Sequence, residues 1–193
     1  MDSFACREII GTLHASLAHR TRNSIDAAGR RRAGVLVPLV SAQGECELVF
    51  TQRTEDVETH KGQISFPGGA MDPADRDEIE TAVRETEEEL GVPRGAVETI
   101  GMLDDLATPT GFVITPVVGV LAPDVAFVAN PHEVADVFRL PLAFFADPRN
   151  GRTELRDREG KPYEVWFYAD GTHVIWGATA AIIRALLKEL AIV

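Results

Sequence analysis

The chain has 193 residues, 45% of them hydrophobic and 25% charged, proportions that suit one globular domain with a core of its own. Its formal net charge of −11 and lack of any basic stripe exclude a nucleic-acid-binding surface, and make an anionic substrate awkward unless metal ions or local arginines reverse the field. Only Cys6 and Cys46 occur, far apart in sequence, so no disulfide framework is expected; no apolar run could span a bilayer, and the N-terminus lacks an apolar signal core, which makes the cytoplasm the expected location.

Apolar residues Phe4, Ile9, Ile10, Leu13 and Leu17 have the spacing of an amphipathic helix over residues 4–19. Arg30, Arg31 and Arg32 read as a solvated linker turn rather than a phosphate contact. Residues 33–40 read as a buried strand, in which Pro38 is tolerable only at an edge or bulge. A turn over residues 41–45 and a return strand over 46–51 complete a β-hairpin. Cys46 reads there as a half-buried strand residue with no activating partner. Between residues 51 and 69, Arg53, His60, Lys61 and Gln63 bring hydrogen-bond donors ahead of an acidic helix. Arginine can hold phosphate through two nitrogens and lysine adds a point charge, so phosphate contact and solvation compete evenly as readings of Arg53 and Lys61. Gly68 and Gly69 permit close backbone approach.

The acidic helix begins at Asp72, with Pro73 in the first turn, or at Asp75, with Glu78 three residues on, and Gly91 stops it in the left-handed conformation. Within it, Glu85, Glu88 and Glu89 stand at i, i+3 and i+4 and share one face. Like charges so placed repel, and a hard cation relieves them; Mg²⁺ prefers carboxylate oxygens together with substrate phosphates. The plain alternative is a solvated acidic helix.

Two further strands are expected over residues 99–103 and 112–120, around a polar turn in which Asp104 or Asp105 serves a metal or the turn itself. His132 has the intrinsic pKa of a base, though nothing in the sequence orients it. Residues 150–161 read as a loop or hairpin end, 163–168 as a strand turning at Asp170-Gly171 into 173–177, and 178–190 as an amphipathic closing helix. Trp166 and Trp176 read as core aromatics rather than an adenine platform. Together these make an α+β chain without repeats or low-complexity tracts.

The run from Gly69 through Arg84-Glu85-Thr86-Glu87-Glu88-Glu89-Leu90-Gly91-Val92 closely resembles the Nudix box, the signature of the Nudix hydrolases. Gly69, Arg84, Glu85, Glu88, Glu89, Gly91 and Val92 match it. The sequence departs in three ways: the interval from Gly69 to Arg84 is one residue longer, the first glutamate, mainly structural in the family, is missing with Asp75 the nearest acid, and Thr86 replaces an apolar residue. Ahead of the box, Thr51, Arg53, Gly62, Phe66, Pro67, Gly68 and Gly69 are similar to the coenzyme A pyrophosphatase branch, with Thr54 and Glu58 departing from it. Residues 103–119 and 173–182 resemble the same branch.

The resemblance implies a single-domain Nudix α/β/α sandwich with a mixed β-sheet, organised as an N-terminal helix and lead-in over 1–32 and a hydrolase domain over 33–193. It implies Mg²⁺, or Mn²⁺, on Glu85, Glu88, Glu89 and the Gly69 carbonyl. Glu133, in an Asn-x-x-Glu-Val form, would complete the metal site or act as general base, alongside Glu88 as a catalytic group, and Arg84 would hold the helix through an ion pair. Substrate contacts would come from Arg53, His60, Lys61, Gln63, Phe66, Thr108 and Thr110. The reaction implied is hydrolysis of coenzyme A or acyl-CoA to 3′,5′-ADP and 4′-phosphopantetheine. ADP-ribose, NADH or a nucleotide sugar as substrate, and a catalytically silent ligand sensor, are the alternatives. The expected partner is a small molecule, with no nucleic acid, no membrane and a possible homodimer.

Overall fold

A computed structural model describes residues 4–54, 62–158 and 160–193. In chain order it contains α1 (Cys6–His19), β1 (Arg31–Ala42), β2 (Glu45–Arg53), β3 (Ile64–Ser65), β4 (Gly68–Ala70), α2 (Glu78–Leu90), a 3₁₀ turn (Arg94–Ala96), β5 (Val97–Met102), β6 (Leu106–Ala107) and β7 (Phe112–Leu121). There follow β8 (Val134–Pro141), α3 (Leu142–Ala146), β9 (Gly151–Arg158), β10 (Lys161–Ala169), β11 (Val174–Trp176) and α4 (Gly177–Glu189). The mixed sheet runs β3-β2-β1-β7-β5, with β4 added to β1, β6 to β7 and β8 to β2; β11-β10-β9 form a second, antiparallel sheet. The β1–β7 pair is parallel, and β1–β2 is the expected antiparallel hairpin.

Side chains alternate across β1, and the alternation builds the layers. Val37 and Leu39 join Ile9 and Leu13 of α1 and Ile183, Leu186 and Leu187 of α4 in one core. Leu36 faces the other way, onto Ala82 of α2 and Val117, while Val40 packs with Val49 and Leu90. Helix α2 therefore covers one face of the sheet, and α1 and α4 cover the other. Burying each large aliphatic side chain contributes about 1.5–3 kcal/mol. Among the described residues no helix is long and apolar enough to cross a membrane.

Several expectations give way. Pro38 lies inside β1, opposite Gly119. On the other side of β1, pairing passes from β4 at residues 33–35 to β2 at 39–42, and Leu36 sends its N–H to Pro67 O on that side (2.9 Å). Residue 38 would direct an N–H the same way, into the interval between partners, so proline there forfeits no ladder bond. Residues 151–158, expected as loop, form β9, a charged strand at the edge of the second sheet, where both polarity and pairing are tolerated. Trp176 is 38% exposed and stacks on Phe167 rather than entering the core, whereas Trp166, half-buried beneath Arg184, does pack against the core. Helix α2 is capped by neither Asp72 nor Asp75: Asp77 accepts from Glu80 N at 2.8 Å. Gly91 does close it, at φ 65°.

Arg32 is not solvent decoration. It bonds Glu78 of α2 at 2.7 Å and lies 3.6 Å from Asp105. Asp105 also receives Arg22, Ile25 N and Thr115, while Asp104 receives Arg20 and Asn23. These two aspartates pin the lead-in after α1 to the sheet, which removes them as metal ligands. Cys46 is fully buried, and its sulfur lies 2.9 Å from that of Cys6.

Candidate active site

The site is assembled where α2 crosses β1 and β4. Helix and sheet approach so closely that a Cβ on Gly34 would lie 2.1 Å from the Glu78 carbonyl. A Cβ on Gly69 would fall 2.4 Å from the Glu85 carboxylate. The two positions pair with each other across β1 and β4: backbone contact restricts residue 34 to glycine, whereas at residue 69 it is the Glu85 carboxylate that would have to move aside.

Arg84 organises the carboxylates. Its Nε and Nη2 donate to Asp75 Oδ1 (3.0 Å) and Oδ2 (2.9 Å), a two-pronged pair that Thr81 Oγ1 (2.9 Å) and Asp72 N (2.9 Å) complete. Nη1 donates to Glu85 Oε1 (2.9 Å) and Glu88 Oε2 (3.0 Å), and Nη2 reaches the Ala70 carbonyl (3.3 Å). The Arg84 bond holds the Asp75 carboxyl well below the usual range, and Asp75 in turn pushes the guanidinium up. Asp75, read from sequence as a candidate helix cap, is thus the partner of Arg84. Its position as the nearest acid before the helix was the signal available for it.

The three helix glutamates differ in environment. Glu88 is exposed, its side chain at 52%. Glu85 is partly buried, and desolvation raises its carboxyl against the pull of Arg84. Glu89 is 3% exposed; desolvation, aided by the charges of Glu85 and Glu133, pushes it up to about 8, while Arg53 and the Gly68 backbone bond oppose the rise. Its Oε2 has no hydrogen-bond partner among the described residues. A buried carboxylate oxygen left unmatched beside two more acids marks a place that calls for positive charge.

Glu133 reaches this cluster from the segment before β8, and its charge is felt by both Glu85 and Glu89. Asn130, which sequence reasoning did not single out, positions it: Asn130 Nδ2 lies 3.4 Å from Glu133 Oε1, and Glu133 N and Val134 N both donate to Asn130 O. Asn130 N itself donates to Glu89 O (2.9 Å) and Val128 N to Leu90 O (2.8 Å), so this loop is bonded to the last turn of α2. His132 is exposed at the same turn, and its carbonyl accepts from Thr54 Oγ1.

Arg53 closes β2 at a register shift against β8, with its Nε buried and unpartnered among the described residues. Its backbone N bonds Gln63 O at 2.9 Å, which holds the two ends of the intervening segment together. His60 and Lys61 lie outside the described residues. Phe66 is buried and stacks on Phe50 at 4.8 Å, so its side chain anchors the segment in the core and is not offered to a ligand. Thr108 and Thr110 face each other at 3.0 Å, and Thr108 also bonds Phe112, closing the turn into β7.

Among the described residues no three acidic side chains converge tightly enough to cage a cation on their own, because Arg84 draws Glu85 and Glu88 toward itself. The donor set nevertheless suits a hard divalent cation: desolvated carboxylates, one orphaned oxygen and the adjacent Gly69 backbone.

A protein-family model described as the NUDIX domain matches residues 30–186. The chain is 41% identical over 173 residues to a Klebsiella pneumoniae protein named as an uncharacterized Nudix hydrolase, NudL, covering 89% of this chain and 88% of that one. It is 38% identical over 160 residues to NudL of Photorhabdus laumondii, covering 83% and 85%. Among solved structures, DR0079 from Deinococcus radiodurans aligns with a TM-score of 0.52 at 18% identity, covering 82% of this chain and 86% of that one. The Nudix hydrolase RenU of M. smegmatis aligns at 0.51 and 22%, covering 60% and 73%, a likeness of fold.

Proposed function

This chain belongs to the Nudix hydrolases, enzymes that act on pyrophosphate-containing small molecules and generally use divalent metal ions, and we propose that within the family it cleaves coenzyme A or acyl-CoA to 3′,5′-ADP and 4′-phosphopantetheine. The observation that carries the reading is the gathering of Glu85, Glu89 and Glu133 beside Arg53, at the Gly68-Gly69 approach. Acids suited to a cation and a partly buried arginine suited to phosphate lie within electrostatic reach of one another. The choice of coenzyme A rests on the resemblance carried by Arg53, Gly62, Phe66 and Pro67, while the similarity to NudL over most of both chains supports the Nudix hydrolase family.

Glu85, Glu88, Glu89 and the Gly69 carbonyl would hold Mg²⁺ or Mn²⁺. When bound, such a cation neutralises the pyrophosphate and lowers the pKa of water. The rest is positioning and electrostatics, as phosphoryl transfer requires. Arg53 orients a phosphate through its free N–H groups. Glu133, steadied by Asn130, accepts the proton of the attacking water, or one of the helix glutamates does so. Arg84, tied to Asp75, sets how far Glu85 and Glu88 can turn toward the substrate. Gln63, His60 and Lys61 supply further donors to the anionic ligand.

Product analysis by mass spectrometry tests the reading, after incubation with Mg²⁺ and equimolar coenzyme A, acetyl-CoA, dephospho-CoA, ADP-ribose and NADH. The expected result is 3′,5′-ADP with 4′-phosphopantetheine, abolished by chelator. Selective loss of ADP-ribose or NADH would keep the chemistry and discard coenzyme A. Binding without turnover under Mg²⁺ or Mn²⁺ would replace the enzyme with a ligand sensor.

A further inference from the structure

On the sheet face opposite α2, the only two cysteines of the chain meet. Cys6 opens α1, Cys46 lies near the start of β2, and their sulfur atoms are 2.9 Å apart although 40 residues separate them in sequence. Both are free thiols and both are buried. The backbone reinforces the placement: Cys6 N donates to Gly44 O (2.8 Å), Cys46 N donates to Phe4 O (3.0 Å), and Ala5 bridges Glu45. Core packing alone does not demand two cysteines in contact, since either could be a small aliphatic residue.

We propose that Cys6 and Cys46 are a thiol–disulfide modification site, oxidised by low-molecular-weight disulfides to a bond that staples α1 to the β1–β2 hairpin. Among the described residues the backbone ties of the first turn of α1 to the hairpin include Cys6 N to Gly44 O, Cys46 N to Phe4 O and the Ala5–Glu45 bridge, and local opening of this contact uncovers Cys6. The hydrogen bond with Cys46 holds the Cys6 thiol below its ordinary range against the effect of burial, while the same bond and burial push Cys46 up. Cys6 opens α1 and is uncovered when that turn lifts, whereas Cys46 lies inside the hairpin strand, so Cys6 is the first nucleophile. Its thiolate attacks one sulfur of the reagent disulfide, forming a mixed disulfide and expelling one thiolate. Cys46, losing its proton, then attacks the Cys6 sulfur and expels the second. Two protein thiols lose two hydrogens, and one reagent disulfide becomes two thiols.

The consequence is a constraint on the unfolded chain across those 40 residues. It fixes the helix that carries Ile9, Leu13 and Leu17 into the core.

The full chain, incubated with oxidised glutathione in mild urea below its unfolding midpoint, gives the test. The expected intact mass falls by two hydrogens, and a non-reduced digest yields one peptide joining Cys6 to Cys46. Melting temperature should rise by roughly 5–10 °C and return with dithiothreitol. Cys6→Ser and Cys46→Ala variants should show neither change; in Cys46→Ala the retained Cys6 should stop at a glutathione adduct, and in Cys6→Ser the buried Cys46 should stay unmodified. Thiols in the native chain that stay free, or adducts that never resolve to the joined peptide, would overturn the proposal. So would a cross-linked chain that melts below the reduced one.

Discussion

Glu85 and Gly69 are so close that the smallest possible side chain on Gly69 would overlap the Glu85 carboxylate, at 2.4 Å. Any side chain at residue 69 must push that carboxylate aside. Gly69→Ala should therefore displace Glu85 and lower kcat/KM by at least about 100-fold, the scale of a roughly 1 Å misplacement. Steady-state kinetics with circular dichroism checks it: a folded Gly69→Ala protein with near-normal turnover would refute the role given to this approach.

Breaking the Asp75–Arg84 pair leaves a largely buried guanidinium with only Glu85 and Glu88 to satisfy it. Asp75→Asn should cost about 3 kcal/mol in urea unfolding, with a lower kcat as Arg84 competes for the two glutamates. Asp75→Glu, which restores the acid type of the family pattern, should recover part of both. Equal stability of Asp75→Asn and the parent would contradict the pairing.

Glu88→Gln should lower kcat by at least about 100-fold while leaving the melting temperature nearly unchanged, because Glu88 is exposed and its bond to Arg84 is a surface contact. Near-normal turnover and metal affinity in this variant would remove Glu88 from the site.

Glu89 gives a pH signature. Its carboxyl is raised from 4.5 to about 8 in the folded protein, so the native state holds a proton that the unfolded chain releases. Stability from this group is present below pH 4.5 and is lost as pH rises through 8. In chelator, urea midpoints of the parent should fall across that window, and those of Glu89→Gln should stay flatter. Added Mg²⁺ should reverse the fall by favouring the ionised form. A parent as flat as the variant would mean that Glu89 is not desolvated.

Arg53→Lys should raise KM about tenfold with a smaller effect on kcat, since a lysine cannot present two nitrogens to one phosphate. Initial rates over a substrate series decide this, and an unchanged KM would place Arg53 outside the substrate contacts.

The helices and the first hairpin were legible because their apolar residues keep the period of the element that buries them. The acidic face of α2 was legible for a different reason: three like charges at helical spacing are costly without a purpose. What was hidden depended on contacts between segments. Phe66 belongs to a loop motif, but only the fold stacks it on Phe50. Asp75 shared the claim to the helix cap with Asp72, and only the fold assigns it to Arg84 and the cap to Asp77. Strand β9 has a charged sequence because its place at the edge of a small sheet asks for no apolar face. The cysteines are neighbours only after α1 folds back on the hairpin.

The last turn of α2 leaves carbonyls that no residue of the helix can satisfy, and the loop bearing Glu133 satisfies two of them through Val128 N and Asn130 N. The interval between Glu89 and Glu133 is thus written in main-chain atoms, which only a proline at residue 128 or 130 would delete. Side chains around the cluster can be exchanged while the spacing of these two acids stays as it was.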